Sequence, residues 1–385
     1  MIYIWFYFNN IYLCKKDKFE IIDIHSIFNS KERFFLEFLE KNEIDINYLL
    51  LKEKITKRNI TIDGLSIVRS IFLNIKENYI KNEKDIIYIG LKPIPLNAIS
   101  NLLKILKELN FLKNIYIFNL YDFIEFIAKS KLKIDKIDIY DGIGKTIYLY
   151  TNKELKNINI IDKIEKLIVK KIEKNLTSKD RIKKILFKYL FHNFISLHEN
   201  SLFDKKTSKI IAIPTSDNLD FISINITEII LETFNEIRDF NKKNIFSLIG
   251  FIPSTIENYN IILKTLRKPK YSLFEDFIKN NLYYFNFVLF LNNRKILEYP
   301  RNKLTKNRIT LKIEKVNDEK IDIEFAIIDI SQEIYSLLKT TIHKENKENI
   351  ILDIYFKNSL DVEAKIFIGS DKKNIKIKKS DYIIE

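Results

Sequence analysis

The sequence has a single cysteine, Cys14, among its 385 residues. One cysteine excludes an internal disulfide and a zinc site built from several cysteines, which fits a reducing compartment, so we expect a cytoplasmic protein. Long apolar runs are also missing. The longest candidate, residues 283–291, contains an asparagine and is far shorter than the roughly 18–20 residues of a membrane-spanning helix. We therefore expect no membrane partner.

Glycine and proline are scarce, with six of each in the chain. The usual share of glycine alone is about 7%. The 65 basic residues are interleaved with 51 acidic ones, so we attribute the net charge of +14 to compositional bias rather than to a basic arm. We therefore do not expect nucleic acid as a partner, and a basic nucleic-acid-binding protein is the last of our alternatives.

What the sequence does contain is an alternation of apolar strands and amphipathic helices over residues 1–293. Apolar residues at helical spacing after Thr61 or Asp63, either of which can cap it, predict one helix, and Pro95 is predicted as the first residue of another. Residues 1–14 predict a strand, and residues 209–213 with 219–224 predict a second hairpin. Further helices are predicted over residues 33–39, 162–174, 178–197 and 225–239 and from Ser254. From Arg294 onward, alternating apolar residues predict strands instead. We therefore expect an α/β protein with an α/β domain over residues 1–293 and a small β-rich domain over residues 294–385.

Two stretches of the chain match across a shift of 160 positions. Gly90 and Pro93 in the first stretch correspond to Gly250 and Pro253 in the second, and each stretch has the pattern of a strand, a glycine turn and a helix. Chance matches are common in so biased a composition, but glycine and proline are rare here and both fall in register. Two related α/β lobes, each opened by a β-hairpin, are the plan of the actin-like ATPase fold. A doubly wound sheet is the competing plan, although the sequence has no G-x-G-x-x-G turn to support it.

A hairpin turn predicted at residues 141–144 is the main candidate site. Gly142 and Gly144 would let backbone N–H groups approach phosphate oxygens, and Asp141 at the end of a strand would hold Mg²⁺ through water. The segment is not a P-loop, because Ile139 stands where that motif requires its first glycine. An ordinary tight hairpin is the alternative interpretation.

Gly250 is a second candidate, because it lies between a predicted buried strand and a capped helix, where backbone donors could meet an adenosine or a phosphate. A plain strand-to-helix turn is the alternative. The four histidines have no metal-ligand spacing, and no Cys/His pair or G-x-S-x-G motif is present. We therefore assign no catalytic residue.

Taken in order, these elements resemble the nucleotide-binding domain of DnaK-type (seventy-kilodalton heat-shock) chaperones. The segments that carry the likeness are residues 62–82, 86–95, 115–128, 139–148, 210–239 and 246–266. The resemblance implies the actin-like ATPase fold, with ATP or ADP and Mg²⁺ as cofactors. It places Asp141, Gly144 and Thr146 in the second phosphate loop of the family and Gly250 in its adenosine segment. Residues 294–385 lie where the family has its substrate-binding β-domain, which implies an unfolded polypeptide or a protein partner.

The same resemblance shows departures that bear on function. Residues 7–11 replace the first phosphate loop, so its aspartate and glycine are missing, and Leu120 takes the place of an acid. The upper insertion, which carries a lysine in the family, is reduced and offers no clear counterpart. These losses imply little or no ATP hydrolysis. We expect a degenerate DnaK-type chaperone-like protein; the alternative is a weak ATPase or actin-like assembly protein that still binds Mg-nucleotide.

Overall fold

The computed structural model divides the chain into two compact units, Met1–Ile124 with Thr265–Glu385, and Glu125–Lys264. The residues that the structure describes are 1–7, 10–15, 18–28, 46–51, 54–57, 60–80, 85–110, 115–143, 146–152, 154–158, 166, 210–214, 221–225, 244–248, 259–280, 284–299, 308–313, 320–343, 349–357, 360–369 and 371–384. The helices predicted over residues 33–39, 162–174, 178–197 and 225–239 lie outside this set except for residue 166, which is helical, and Asn225, which ends a strand. The helix start predicted at Ser254 also lies outside it. In the described part of the chain, no helix has the length and apolar character to cross a membrane.

The first unit begins with strands whose order fixes the fold. The strands are β1 (Ile2–Tyr7), β2 (Asn10–Lys15), β3 (Lys18–Asp23), β4 (Lys54–Lys57), β5 (Ile60–Asp63), β6 (Ile87–Leu91) and β7 (Ile115–Asn119). Five of them form one sheet in the order β3-β2-β1-β6-β7, and β4 with β5 forms a separate hairpin. β1, β2 and β3 are antiparallel neighbours, whereas β1, β6 and β7 run parallel. This antiparallel meander disagrees with the competing doubly wound plan.

The start of the chain differs from our prediction that residues 1–14 form one strand. Two antiparallel strands are found instead, and Tyr7 at the end of β1 pairs with Asn10 at the start of β2. Residues 2–6 and 11–14 are all buried, because both strands lie inside the sheet. Strands that are covered on both faces lose the alternation of apolar and polar residues, so the apolar run does not show where the chain turns.

The helices of this region connect the parallel strands. They are α1 (Ile46–Leu51), α2 (Gly64–Tyr79), α3 (Leu96–Glu108) and α4 (Leu120–Ile127). Asp63 caps α2 as predicted, since its carboxylate accepts hydrogen bonds from the Leu65 N–H at 3.0 Å and the Ser66 hydroxyl at 2.5 Å. Pro95, which we predicted as the first residue of this helix, stands instead at the N-cap of α3, and the helix begins one residue later at Leu96. These capping residues fix where each helix begins.

Gly90 lies inside β6, which corrects our prediction of a glycine turn. It is paired with Trp5 on one side and Phe118 on the other. A Cβ atom at Gly90 would lie 2.6 Å from Cζ of Phe118 and 3.2 Å from Cβ of Trp5. The glycine is therefore required by the close approach of an aromatic ring rather than by backbone conformation.

The second unit contains a sheet with the same plan as the first. Its described strands are β8 (Asp138–Ile143), β9 (Thr146–Thr151), β10 (Glu154–Ile158), β11 (Ile210–Pro214), β12 (Phe221–Asn225) and β13 (Ile245–Ser247). The main sheet has the order β10-β9-β8-β13, and β11 with β12 forms the predicted second hairpin. β8, β9 and β10 form an antiparallel meander, and β13 runs parallel to β8. Both units thus contain a mixed sheet that opens with a hairpin, as predicted from the sequence repeat.

Two further helices, α5 (Tyr259–Arg267) and α6 (Tyr271–Asn280), lead into the β-rich part. Its strands are β14 (Asn286–Leu291), β15 (Arg294–Tyr299), β16 (Arg308–Ile313), β17 (Lys320–Ile328), β18 (Ile334–His343), β19 (Ile350–Phe356), β20 (Val362–Ile368) and β21 (Asp371–Ile377). They form two four-stranded sheets, β15-β14-β17-β18 and β16-β19-β20-β21. The rings of Phe287 and Phe356, one from each sheet, lie 5.3 Å apart. The β-rich character begins at Asn286, while the domain boundary at residue 293 stays a prediction.

Hydrogen bonds join the β-rich part to the first sheet within the same unit. The Tyr284 hydroxyl donates to the Lys92 carbonyl at 2.9 Å and accepts from the Ile94 N–H at 3.3 Å. The Asp329 carboxylate accepts from the Leu96 N–H at 3.0 Å, so it occupies the N-terminus of α3. Because Pro95 offers no side-chain cap, a residue 233 positions away satisfies this helix end.

Within the sheet β16-β19-β20-β21, Asp353 on β19 is paired with Thr310 on β16. Its carboxylate accepts hydrogen bonds from Arg308 at 2.7 Å and from the Thr310 hydroxyl at 2.6 Å. Burial raises the pKa of Asp353, but the hydrogen bonds from Thr310 and Arg308 outweigh it and hold the pKa below its ordinary value. The ionised carboxylate is therefore part of the folded structure.

Candidate functional site

The carboxyl ends of the parallel strands in the first sheet carry two buried polar residues. Lys92 directly follows β6 and is fully buried, and Asn119 is the last residue of β7 with 3% of its surface exposed. Asn119 pairs with Leu91, the residue before Lys92, across the two strands. In open α/β sheets, ligands bind at the carboxyl ends of the strands. This edge of the first sheet is therefore a candidate ligand site.

Hydrogen bonds fix both residues in place. The Asn119 side-chain oxygen accepts from the Tyr121 N–H at 2.9 Å, whereas its buried amide nitrogen has no hydrogen-bond partner within the described ranges. The Lys92 N–H donates to the Asn47 side-chain oxygen at 3.2 Å, and its carbonyl accepts from Tyr284. A buried donor without a partner costs about 1–3 kcal/mol. A ligand oxygen at this edge would recover that cost.

Sequence reasoning kept Asn119 through the family resemblance but missed Lys92. With 65 basic residues in the chain, one more lysine gives no signal of its own. Its position before Pro93, at the end of a strand of buried apolar residues, was the available indication, because a lysine is rarely fully buried without a role for its charge.

In the sheet β10-β9-β8-β13 of the second unit, Asp141 occupies a different position from the one predicted. We expected it to open the hairpin turn, but it lies within β8, is fully buried and pairs with Tyr148. Ile143 pairs with Thr146, the last pair described between β8 and β9. The strand thus continues three residues beyond Tyr140, because residues 141–143 pair with β9 although the described pairing with β13 ends at Tyr140.

The remaining predicted site residues divide into two groups. Gly142 on β8 and Thr146 on β9 lie on the same hairpin as Asp141. Gly144 and Gly250 lie outside the described residues. The structure therefore brings Asp141, Gly142 and Thr146 together, while the roles given to all five residues stay predictions.

The two sheets can be aligned through their first strand pairs, which end at Tyr7 with Asn10 and at Ile143 with Thr146. Counting back from Tyr7 and from Ile143, Trp5 on β1 takes the position that Asp141 has on β8. Trp5 is buried and its ring stacks on Tyr12 with centroids 4.3 Å apart. We had placed the missing acid of the first loop at Tyr7, and the strand register moves this position to Trp5. An aromatic residue replaces the acid in either alignment.

Metal-binding groups are sparse in this part of the molecule. Over the ranges that the structure describes, no three His, Cys, Asp or Glu side chains lie together as a metal cluster. A lone carboxylate such as that of Asp141 suits Mg²⁺, which keeps most of its water and takes one or two carboxylates together with substrate phosphates.

The strand order and the Asp141 hairpin are those expected of an actin-like α/β protein. No protein-family model matches the sequence, and no curated protein matches it either. Among solved structures, MreB 5 of Spiroplasma citri bound to AMPPNP is 11% identical, with a TM-score of 0.40 over 71% of this chain and 97% of that chain. The same protein bound to ADP is 12% identical, with a TM-score of 0.33 over 74% and 84%. The MamK double helical filament is 8% identical, with a TM-score of 0.34 over 61% and 77%.

These comparisons correct our expectation of a degenerate DnaK-type chaperone. The matched structures are actin-like proteins, and no comparison ties the chain to the heat-shock family. With every TM-score below 0.5, the nucleotides and the filament named in their titles remain properties of those proteins. What the chain itself shows is a mixed α/β architecture whose two sheets repeat one strand order, as expected of the actin-like plan.

Proposed function

We propose that this protein binds Mg²⁺ and ATP or ADP at the Asp141 hairpin, hydrolyses ATP weakly or not at all, and assembles with further copies of itself in the cytoplasm. The observation that carries the proposal is the fully buried Asp141 on β8, two residues before the end of that strand, in a sheet that repeats the order of the first sheet.

Each candidate site residue has a role in this proposal. Asp141 holds Mg²⁺ through water, as a carboxylate at a strand end does in other phosphate sites. Backbone N–H groups at Gly142 and Gly144, with the Thr146 hydroxyl, donate to phosphate oxygens. Gly250 allows the backbone to approach the adenosine. The single cysteine, which favours a reducing compartment, supports the cytoplasmic location.

Slow hydrolysis follows from the first sheet. Trp5 stands where the second sheet has Asp141, so one of two equivalent positions offers no carboxylate for metal or water. Removing one group that stabilises the transition state costs about 10²–10³ in rate. Nucleotide would then serve as a bound ligand that favours assembly, because a ligand shifts an equilibrium by its differential affinity for the two states.

Calorimetry of Mg-ADP and Mg-ATP binding to the whole chain tests the site. Asp141→Asn keeps the size of the side chain and removes its charge, and we expect it to weaken binding by roughly tenfold or more. Asp138→Asn is the matched control, because Asp138 is also buried on β8 but lies an odd number of residues away and so on the opposite face. Failure of the wild-type protein to bind either nucleotide would remove the proposal.

Assembly is tested separately by sedimentation. We expect the wild-type protein to pellet in the presence of Mg-ATP and the Asp141→Asn variant to stay in the supernatant at the same concentration. A protein that binds nucleotide but sediments as a monomer under all conditions would keep the nucleotide site and contradict the assembly step.

A further inference from the structure

A cavity of about 520 Å³ opens at one end of the sheet β16-β19-β20-β21 in the β-rich part. It is formed by the turn between β19 and β20, the start of β20, the end of β21 and the segment that follows. The charged and polar residues that line it are Lys357, Asp361, Glu363, Lys376, Lys378, Lys379 and Ser380. Its size lies within the range of about 300–1,000 Å³ that is usual for small-molecule sites.

The lining carries four lysines and two acids, which leaves an excess of two positive charges. Glu363 forms an ion pair with Lys357. The hydrogen bond from Lys357 is the main cause that lowers the pKa of Glu363, and Lys376 adds to it through its charge. One carboxylate is thus shared by two lysines, and it does not neutralise both.

Lys379 differs from the other three lysines of the cavity, which are exposed, because only 8% of its surface is exposed. Its ammonium nitrogen lies 4.5 Å from the ring centroid of Tyr116 on β7. Burial lowers the pKa of Lys379, and the nearby charge of Asp361 opposes this effect. A lysine held at the wall of a positive cavity loses hydration, and an anion bound in the cavity would restore a favourable environment for its charge.

We propose that this cavity is a binding site for a small molecule with two or more clustered anionic groups, phosphates or carboxylates. The lysines supply point charges from three directions, namely the β19–β20 turn, β21 and the C-terminal segment. Val362 and Ile377 also line the cavity and are themselves buried, so they fix the strands that carry these lysines. Small-molecule sites place a few convergent polar groups on such a rigid frame.

Calorimetry on the whole chain tests this site, with inorganic pyrophosphate and citrate as probes and Mg²⁺ left out. The double variant Lys376→Gln/Lys378→Gln removes two exposed lysines of the cavity, and we expect binding to weaken about tenfold for each lysine. The matched control is Lys372→Gln/Lys373→Gln, which removes two charges from the same strand outside the cavity. There, Lys372 lies over the Phe367 ring and Lys373 donates to Thr340.

The outcomes separate a built site from general surface charge. Loss of binding in the cavity variant alone, with the control at wild-type affinity, supports the site, and preference for pyrophosphate or citrate tells which anionic group it takes. Equal weakening in both double variants, or no binding of either probe to the wild-type protein, overturns it.

Discussion

Replacing Asp329 by asparagine should loosen the attachment of the β-rich part to the first sheet. One carboxylate oxygen of Asp329 accepts from the Leu96 N–H at the start of α3. The other accepts from the N–H groups of Ser331 at 2.8 Å and Glu333 at 3.3 Å. An asparagine has one acceptor oxygen in place of two, so it can serve the β17–β18 turn or α3, but not both.

The size of the effect follows from what is left unpaired. In the variant, an amide NH₂ group faces the Leu96 N–H, and Leu96 is buried. An unsatisfied buried donor costs about 1–3 kcal/mol, and the loss of a negative charge at a helix N-terminus costs about 0.3–1 kcal/mol. We therefore expect the local stability at the start of α3 to fall by about 1.3–4 kcal/mol.

Hydrogen exchange of the α3 amides measures this directly. A loss of that size should speed exchange of the Leu96 amide by roughly 10- to 900-fold. Asp322→Asn is the matched control, since Asp322 lies on β17, the strand that Asp329 directly follows, is exposed and accepts a hydrogen bond from Thr341 at 2.7 Å. Exchange of the Leu96 amide at the wild-type rate in Asp329→Asn, or equal acceleration in the control, would refute the reasoning.

Two further predictions concern the sheets. Gly90→Ala should lower the free energy of unfolding in urea by about 1–3 kcal/mol, because the new Cβ meets Phe118 at 2.6 Å; a variant as stable as the wild type would show that the ring moves freely. Asp353→Asn should be less stable than the wild type at pH 7. The pKa of Asp353 is lowered in the folded state, so its contribution is present above the unfolded pKa of about 3.9 and lost as the pH falls through the folded pKa. The difference in urea midpoint should therefore shrink at about pH 3, and a difference that does not change with pH would contradict this assignment.

Local patterns predicted much of the fold. The α2 helix follows from apolar spacing and from Asp63, whose cap requires only residues within three positions. The β9 strand of the Asp141 hairpin and the later alternation of strands follow from similar short-range signals, whereas the ends of β1 and β8 do not. The rare glycines and prolines indicated the repeat between the two sheets, although the pairing of Gly250 with its strand lies outside the described residues.

What the sequence did not reveal depends on distant contacts. Gly90 is needed because the Phe118 ring approaches it closely. These two residues lie on neighbouring strands and meet only in the folded sheet. The role of Asp329 is set by Leu96, 233 positions away. The register of Asp141 was misjudged because glycine at position 142 marks a turn in most chains, while here the buried strand continues through it.

The contacts between the β-rich part and the first sheet also bear on how the chain folds during synthesis. The Ser100 hydroxyl accepts from the Ile384 N–H at 2.8 Å, so the first unit is complete only when residue 384 has emerged. At synthesis rates of about 5–20 residues per second, residues 125–384 take on the order of 10–50 s to appear. Residues 125–264 are continuous in sequence and do not wait for this step. The second unit can therefore fold on the ribosome first, while the opening strands remain without the partners that cover them.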